Sequence, residues 1–318
     1  MKNRQYLFIV ASALAVCCSE RKAEQFKALP FPDVRVPSMM SESAQIAGYL
    51  AMNYWNGITD TSRHFPCDSA LVSGVRKDEV EQKFADWTML LDAVGIQEGR
   101  KAVARLYDRA VACERKDTSS NVFETFVELS QKYFYDPNSP MRNEDLYLPF
   151  VSRLASYEGL DPLMRGKYER ETRLCSMNCV GSRPADFRFS DKSGRIGTLY
   201  GVDSEYTLLF FSNPGCEACK NIIDMLGNSP VIASQVRDGV LAVVNIYIDE
   251  DIQAWLSYMP AYPADWHNGF DPDLVIRGDG IYDVRAIPSL YLLDKEKRVL
   301  MKDAPEQKVI SFLENLAD

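Results

Sequence analysis

Apolar residues follow two different rhythms along this chain, and the change falls near residue 180. Between residues 41 and 177 they recur at the spacing of a helix face. Helices are predicted at 41–55, 77–94, 98–115, 121–135, 143–157 and 162–174, with Ser41 as a cap for the first. Within 77–94, Val80, Phe84, Trp87, Met89, Leu90 and Leu91 fall mostly on one side. Pro66, Gly95, Pro137-Asn138-Ser139-Pro140 and Gly159 separate the segments. Six helices of this length can bury a core of their own, so residues 41–177 read as an all-helical domain, joined by a linker near 175–183 to the rest of the chain.

From residue 183 the apolar residues come in short runs bounded by turn formers. Residues 183–190 and 195–200, around Asp191-Lys192-Ser193-Gly194, read as a hairpin. Residues 206–211 form an apolar strand, broken by Asn213-Pro214-Gly215, and an amphipathic helix comes next at 220–226. Asn228-Ser229-Pro230 interrupts that helix, which resumes at 231–237. The near-continuous apolar run within 239–249 suits a central strand covered on both faces. A short helix at 251–258, strands at 287–293 and 298–302, and a helix at 305–316 complete the chain. Between them, 259–282 reads as a long connection. Its Tyr262, Trp266 and Phe270 either anchor it on the core or form a lip over a site, and His267 is a candidate proton shuttle.

Composition adds exclusions. The chain has 318 residues, 46% hydrophobic and 25% charged, with room for two domains. A net charge of −9 without a basic cluster argues against nucleic acid as a partner. The start has the pattern of an export signal: Lys2 and Arg4, an apolar stretch at 6–16 too short to span a bilayer, then Cys17-Cys18-Ser19-Glu20. Ending on cysteine, it looks like a lipoprotein signal with either Cys17 or Cys18 as the lipidated residue; a plain secretory signal is the alternative. Residues 1–18 are then the signal and 19–40, with Pro30, Pro32 and Pro37, a tether. The mature protein is expected in the cell envelope, lipid-anchored on the periplasmic or outer-membrane side, where disulfides persist.

The chemistry-bearing stretch is Cys216-Glu217-Ala218-Cys219, between the 206–211 strand and its helix. Free N–H groups and the positive end of the helix dipole stabilise a thiolate at the first turn, making Cys216 the candidate nucleophile. Cys219, three residues on, lies on the same helix face and is near enough to close a disulfide. Arg285-Ala286-Ile287-Pro288-Ser289 precedes a second apolar run, and Gly181-Ser182-Arg183-Pro184-Ala185-Asp186-Phe187 stands upstream. As a set, these elements over residues 183–318 resemble the thioredoxin fold and, through the upstream segment, its TlpA-like branch of extracytoplasmic thiol–disulfide oxidoreductases.

That resemblance implies two domains, the all-helical one followed by an α/β thioredoxin-like domain with a central mixed sheet flanked by helices. It implies that Pro288 is cis beside the cysteines and counts with Cys216 and Cys219 as a candidate catalytic residue. The backbone of Ile287 is left free to pair with an extended substrate. It also implies a reducing role: protein thiols and disulfides as substrates, electrons from a donor in the cell envelope, and no cofactor. Glu217 beside the nucleophile opposes the thiolate, which also favours a reductant. Three positions depart from the pattern. Phe210 and Ile222 stand where relatives carry a carboxylate that serves as proton acceptor, and Gly215 stands where a Trp commonly precedes the first Cys. A thioredoxin-like scaffold lipoprotein with an idle disulfide is therefore the alternative function; a thiol peroxidase is weaker, since no Pro-x-x-x-Thr-x-x-Cys surrounds Cys216. Tyr133-Phe134-Tyr135-Asp136-Pro137-Asn138-Ser139-Pro140-Met141-Arg142-Asn143-Glu144, with Asn53-Tyr54-Trp55, resembles a helical domain of uncharacterised function that precedes TlpA-like domains in bacterial lipoproteins.

Four further cysteines need an account. Cys67 and Cys113 are candidates for a bridge within the helical domain or two buried thiols. Cys175 and Cys179, four apart near a helix end, are candidates for a bridge, two free thiols, or a second redox pair relaying electrons to Cys216. His64 and Cys67 lack a matching pair of ligands, and no metal site is expected.

Overall fold

The computed structural model describes residues 27–65 and 68–316, so Cys17, Cys18 and Cys67 lie outside the described residues. The first half contains helices α1 (Ser43–Asn53), α2 (Lys77–Val94), α3 (Ile96–Lys116), α4 (Val122–Ser130), α5 (Glu144–Ala155) and α6 (Pro162–Ser176). On α3, Ala102, Val103, Leu106, Tyr107, Ala110 and Val111 are buried, the three-and-four spacing of a single apolar face. This helix runs so close to α5 that a Cβ at Gly99 would stand 2.7 Å from Leu146 Cδ2. Phe84, Trp87 and Phe126 surround Trp55 with ring centroids 5.9, 5.8 and 4.8 Å away. Trp87 Nε1 donates to Ala51 O at 2.9 Å, so this large ring is buried with its polar atom satisfied.

Against the expectation of an all-helical domain, this half also holds a small sheet. Strands β1 (Leu71–Val72) and β2 (Val75–Arg76) form an antiparallel ladder between α1 and α2, turned by Ser73 and Gly74 with φ of 47° and 79°. Two-residue strands are too short to show a period, which is why the pattern misses them. The helix expected over 121–135 also changes character, α4 passing into a single π turn at Gln131–Tyr135.

The second half carries β3 (Arg188–Ser190), β4 (Ile196–Thr198), β5 (Tyr206–Phe211), α7 (Glu217–Asn228), α8 (Pro230–Arg237), β6 (Leu241–Tyr247), α9 (Ile252–Tyr258), β7 (His267–Phe270), β8 (Ser289–Leu293), β9 (Val299–Met301) and α10 (Glu306–Asn315). They build one mixed sheet in the order β4-β3-β7-β6-β5-β8-β9. Strands β5, β6 and β7 are parallel; β8 runs antiparallel to β5 and β9, and β3 to β4 and β7. Alternation along the strands makes two cores. Leu208, Phe210 and Leu292 pack under Ile222 of α7, Trp255 of α9 and Val309 of α10. Leu209, Phe211 and Tyr291 face the other way, onto Phe187, Leu199, Ile276 and Tyr282.

Residues 259–282 are not a structureless connection: β7 lies within them and pairs in parallel with β6. Its sequence, His267-Asn268-Gly269-Phe270, holds a single large apolar residue and gives no strand signal. Tyr262 and Trp266 are buried in the core beneath the helices, so they act as anchors. His267 is exposed and lines a surface cleft with Asp191, Lys192 and Arg195, and none of residues 216–219 forms its wall.

The segment between the halves is paired rather than loose. Gly181 N–H donates to Val299 O at 2.8 Å and Val299 N–H to Ser182 O at 2.9 Å, extending the sheet edge at β9. The halves also meet through buried charges. Glu144, at the first position of α5 and 1% exposed, lies 2.6 Å from Arg285 Nη2 and 2.7 Å from Lys302 Nζ. Lys302 Nζ also donates to Cys175 O at 2.9 Å and Met177 O at 2.6 Å, satisfying carbonyls that the end of α6 leaves open. Arg142 donates from Nε to Asp303 O and from Nη2 to Ala304 O at 3.0 and 3.2 Å.

Candidate active site

Strand β5 enters the site from the core, and the chain turns out of it over residues 212–215. Gly215 has φ of +73°, and a Cβ there would meet no atom within 4 Å, so it is the conformation and not the space that calls for glycine. A Trp at this position would have to adopt a left-handed backbone, which accounts for its absence before the first cysteine. The turn is tied down: Cys216 N–H donates to Asn213 O at 3.3 Å, and Asn213 Nδ2 donates to Asp249 Oδ2 at 2.9 Å. Asp249 in turn pairs with Arg277.

Cys216 is the N-cap of α7, and its Sγ accepts the Cys219 N–H at 3.1 Å. That is the geometry in which a helix N-terminus stabilises negative sulfur. The two cysteines are joined in a disulfide with Cα atoms 5.2 Å apart. Cys216 is half-buried and Cys219 is 1% exposed, so one sulfur can be approached and the other is reached only through it. Glu217 and Ala218 are exposed beside them.

The Ile287–Pro288 peptide is cis and lies opposite the disulfide, with Ile287 O 4.0 Å from Cys216 Sγ. Ile287 is half-buried and packs against the cores of both sheet faces at the start of β8. Thus Cys216, Cys219, Ile287 and Pro288, separated by up to 72 positions in the chain, are brought together.

The remaining candidates are not. Cys175 and Cys179 are free thiols, and so is the buried Cys113. Of the readings left open for Cys175 and Cys179, the pair of free thiols is the one found; no bridge joins them, because α6 ends at Ser176 and Asn178 turns left-handed at φ of 51°. This aims Cys179 Sγ at the carbonyls of Cys175 and Ser176, to which it donates at 3.4 and 3.2 Å. Burial pushes both thiols up from the ordinary range, with Glu144 adding to this at Cys175 and Asp145 at Cys179. Burial likewise raises Cys113. Of the candidate bridge between Cys67 and Cys113, only Cys113 is among the described residues. Among these residues no group of three or more His, Cys, Asp or Glu is arranged to hold a metal ion.

Phe210 and Ile222, at the positions of the missing carboxylates, are fully buried in the apolar core below the site. The polar groups near this end of the sheet lie elsewhere. Ser212 Oγ donates to Asn245 Oδ1 at 2.5 Å, Asn245 Nδ2 to Asn268 Oδ1 at 2.9 Å, and Asn268 Nδ2 to Pro263 O at 2.7 Å. This buried ladder crosses β5, β6 and β7, and sequence reasoning missed it. Its one signal is Asn245, a polar residue inside an otherwise apolar strand. A second missed group is Asp303, whose Oδ1 accepts from Ser289 Oγ at 2.7 Å directly after the cis-proline. Burial and the neighbouring Glu144 push its carboxyl up to about 6, while Arg142, Ser289 and Arg285 pull the other way.

Comparison with known proteins places this geometry in a family. The family model of a domain of unknown function, DUF5106, matches residues 14–178. The crystal structure of a thioredoxin-like protein from Bacteroides caccae is 33% identical, with a TM-score of 0.74, over 89% of this chain and 97% of that one. The C-terminal domain of an uncharacterized protein from Bacteroides fragilis is 46% identical over 43% of this chain and 97% of that one, with a TM-score of 0.42. No curated protein matches. The chain belongs to the DUF5106 family and to the thioredoxin-like proteins.

Proposed function

We propose that this protein is a thiol–disulfide oxidoreductase of the TlpA-like kind, working as a reductase on protein disulfides in the cell envelope. The observation that carries the reading is the half-buried Cys216 sulfur, at the N-cap of α7, bonded to a buried Cys219 and facing the Ile287 carbonyl.

In the reduced protein the Cys216 thiolate attacks one sulfur of a substrate disulfide. A Cys216–substrate bond forms, the substrate S–S bond breaks, and the second substrate sulfur leaves as a thiolate that takes a proton. Cys219 then loses its proton and attacks Cys216 Sγ, closing the intramolecular disulfide and releasing the first substrate sulfur as a thiol. Two electrons pass to the substrate, and a dithiol donor in the envelope must return the protein to its reduced form. Ile287 offers its backbone to an extended substrate segment beside the sulfurs. With Phe210 and Ile222 in place of a carboxylate, the Cys219 proton leaves without a buried carboxylate at those positions to receive it, and slow or narrow chemistry is the consequence.

Anchoring by Cys17 or Cys18 after an export signal belongs to the same proposal, supported by Lys2, Arg4 and the apolar residues 6–16. The deciding experiment is the reduction potential of the Cys216–Cys219 pair in the mature protein, beside turnover of insulin disulfides and a Cys216→Ser control. A potential near or below about −200 mV, with insulin reduced by the parent alone, supports a reductase. A potential near about −120 mV would make it an oxidant or isomerase, and a pair that never equilibrates with glutathione would make it a scaffold.

A further inference from the structure

Arg285 stands three residues before Pro288, yet its side chain points into the helical half. Nη1 donates to Tyr135 O, Nη2 to Glu144 Oε1 at 2.6 Å, and the guanidinium lies 4.1 Å from the centroid of the Tyr135 ring. Asp283 and Asp303 lie 3.5 and 3.7 Å from the same guanidinium. On the other side of Pro288, Ser289 is held by Asp303, which Arg142 of the helical half approaches at 3.6 Å. The loop carrying Ile287 is therefore gripped at both ends from the other half. The charges close on themselves: Arg142, Arg285 and Lys302 face Glu144, Asp283 and Asp303, three against three.

Burial changes sharply from one residue to the next at the grip. Arg285 is 13% exposed, whereas Ala286 next to it is exposed and Ile287 half-exposed. Ala286 leaves a gap in the packing just before Ile287, so the side-chain anchors on either side add to the core contacts of Ile287 in fixing its carbonyl against Cys216. Planar, bidentate and ring-stacked contacts are the particular strength of arginine, and no lysine could reproduce them here.

We infer that Glu144 and Tyr135 are positioning residues: acting through Arg285, they hold the Ile287–Pro288 loop in register with the Cys216–Cys219 pair, so the helical half is part of the substrate-binding apparatus. This rests on the exchange reaction proposed above for what the loop binds. It gives the helical half a task that requires no chemistry of its own, and it makes the two halves one functional unit.

The test uses the full mature protein with Glu144→Gln, and with Tyr135→Leu as a milder second variant should the first fail to fold. Trypsin reads the grip directly, because Ala286 is exposed while the Arg285 side chain that trypsin must recognise is held away. The expected result is cleavage at that bond about tenfold faster than in the parent, with a KM for insulin about tenfold higher and kcat and the reduction potential unchanged. A merely structural role would not separate KM from kcat in this way. Parent-like cleavage at Arg285 overturns the inference, as does faster cleavage with an unchanged KM. If the parent reduces no disulfide at all, the exchange reading fails instead, and cleavage at Arg285 alone then decides whether the helical half holds the loop.

Discussion

Two cysteine pairs sit at opposite ends of helices in this molecule, and the contrast shows which of them is set up as a disulfide with an approachable sulfur. Cys216 begins α7, where its sulfur accepts a backbone N–H. Cys179 lies just past the end of α6, where its sulfur donates to backbone carbonyls. The first environment favours a thiolate and the second a thiol, because the partial charges at the two helix ends have opposite sign. Spacing works the same way: three residues at a helix start leave the sulfurs within bonding range, while four residues across a broken helix end turn one sulfur away. The same side chain thus accepts from the backbone in one place and donates to it in the other.

The sharpest way to break this comparison is to remove each cysteine in turn. Cys216→Ser is expected to lower disulfide turnover by about a thousandfold or more, because the approachable sulfur that makes the first bond is then gone. Cys219→Ser should complete the first attack and accumulate the mixed disulfide, visible as a mass shift on a non-reducing gel. Cys175→Ser and Cys179→Ser should leave turnover within about twofold of the parent. A loss of activity in Cys179→Ser matching that in Cys216→Ser would show that the second pair is a relay after all.

A second test concerns what holds the quiet end of the comparison together. Lys302 Nζ serves Cys175 O, Met177 O and Glu144 Oε2 at once, with its side chain 2% exposed. A cation at a helix C-terminus is favourable, and this one is also the partner of a buried carboxylate. Lys302→Met preserves much of the volume but takes the ammonium from both carbonyls and leaves Glu144 with Arg285 alone as its cation among the described residues. Unfolding in urea is expected to show a loss of about 3 kcal/mol or more. A loss below about 1 kcal/mol would mean that water replaces the ammonium there and that α6 does not depend on it.

How much of this was legible in the sequence is governed by the same local physics. The strand β5, the turn at 213–215 and the two cysteines are contiguous, and each has a strong local preference, so the reactive pair could be read directly. Ile287 and Pro288 were placed beside it only through resemblance, because nothing local ties residue 288 to residue 216. Strands β1, β2 and β7 escaped because two to four residues with few large apolar side chains cannot display a period. The grip on the loop escaped for another reason: Arg285 and Glu144 are 141 positions apart, and in a sequence a buried charge looks the same as a solvated one. Asn245 was the exception, a polar residue visible in an apolar run whose meaning emerged once β7 supplied Asn268.

The smallest expected effect tests whether the helix end or its neighbouring charge sets the reactivity of Cys216. Glu217 occupies the first position of α7, exposed and next to the nucleophile, where its negative charge works against a second negative charge on sulfur. Glu217→Gln removes that charge and leaves the N-cap geometry intact. An exposed charge at a helix terminus contributes roughly 0.3–1 kcal/mol, so the midpoint of the pH–rate profile for alkylation of reduced Cys216 should fall by about half a unit. The same profile for Cys179, raised by burial and by Asp145, should not move, since Glu217 is not among the groups acting on it. A shift well above one unit would mean that Glu217, and not the backbone at the start of α7, is the main control on the thiolate. No shift at all would mean that water screens the carboxylate fully and that the helix terminus acts alone.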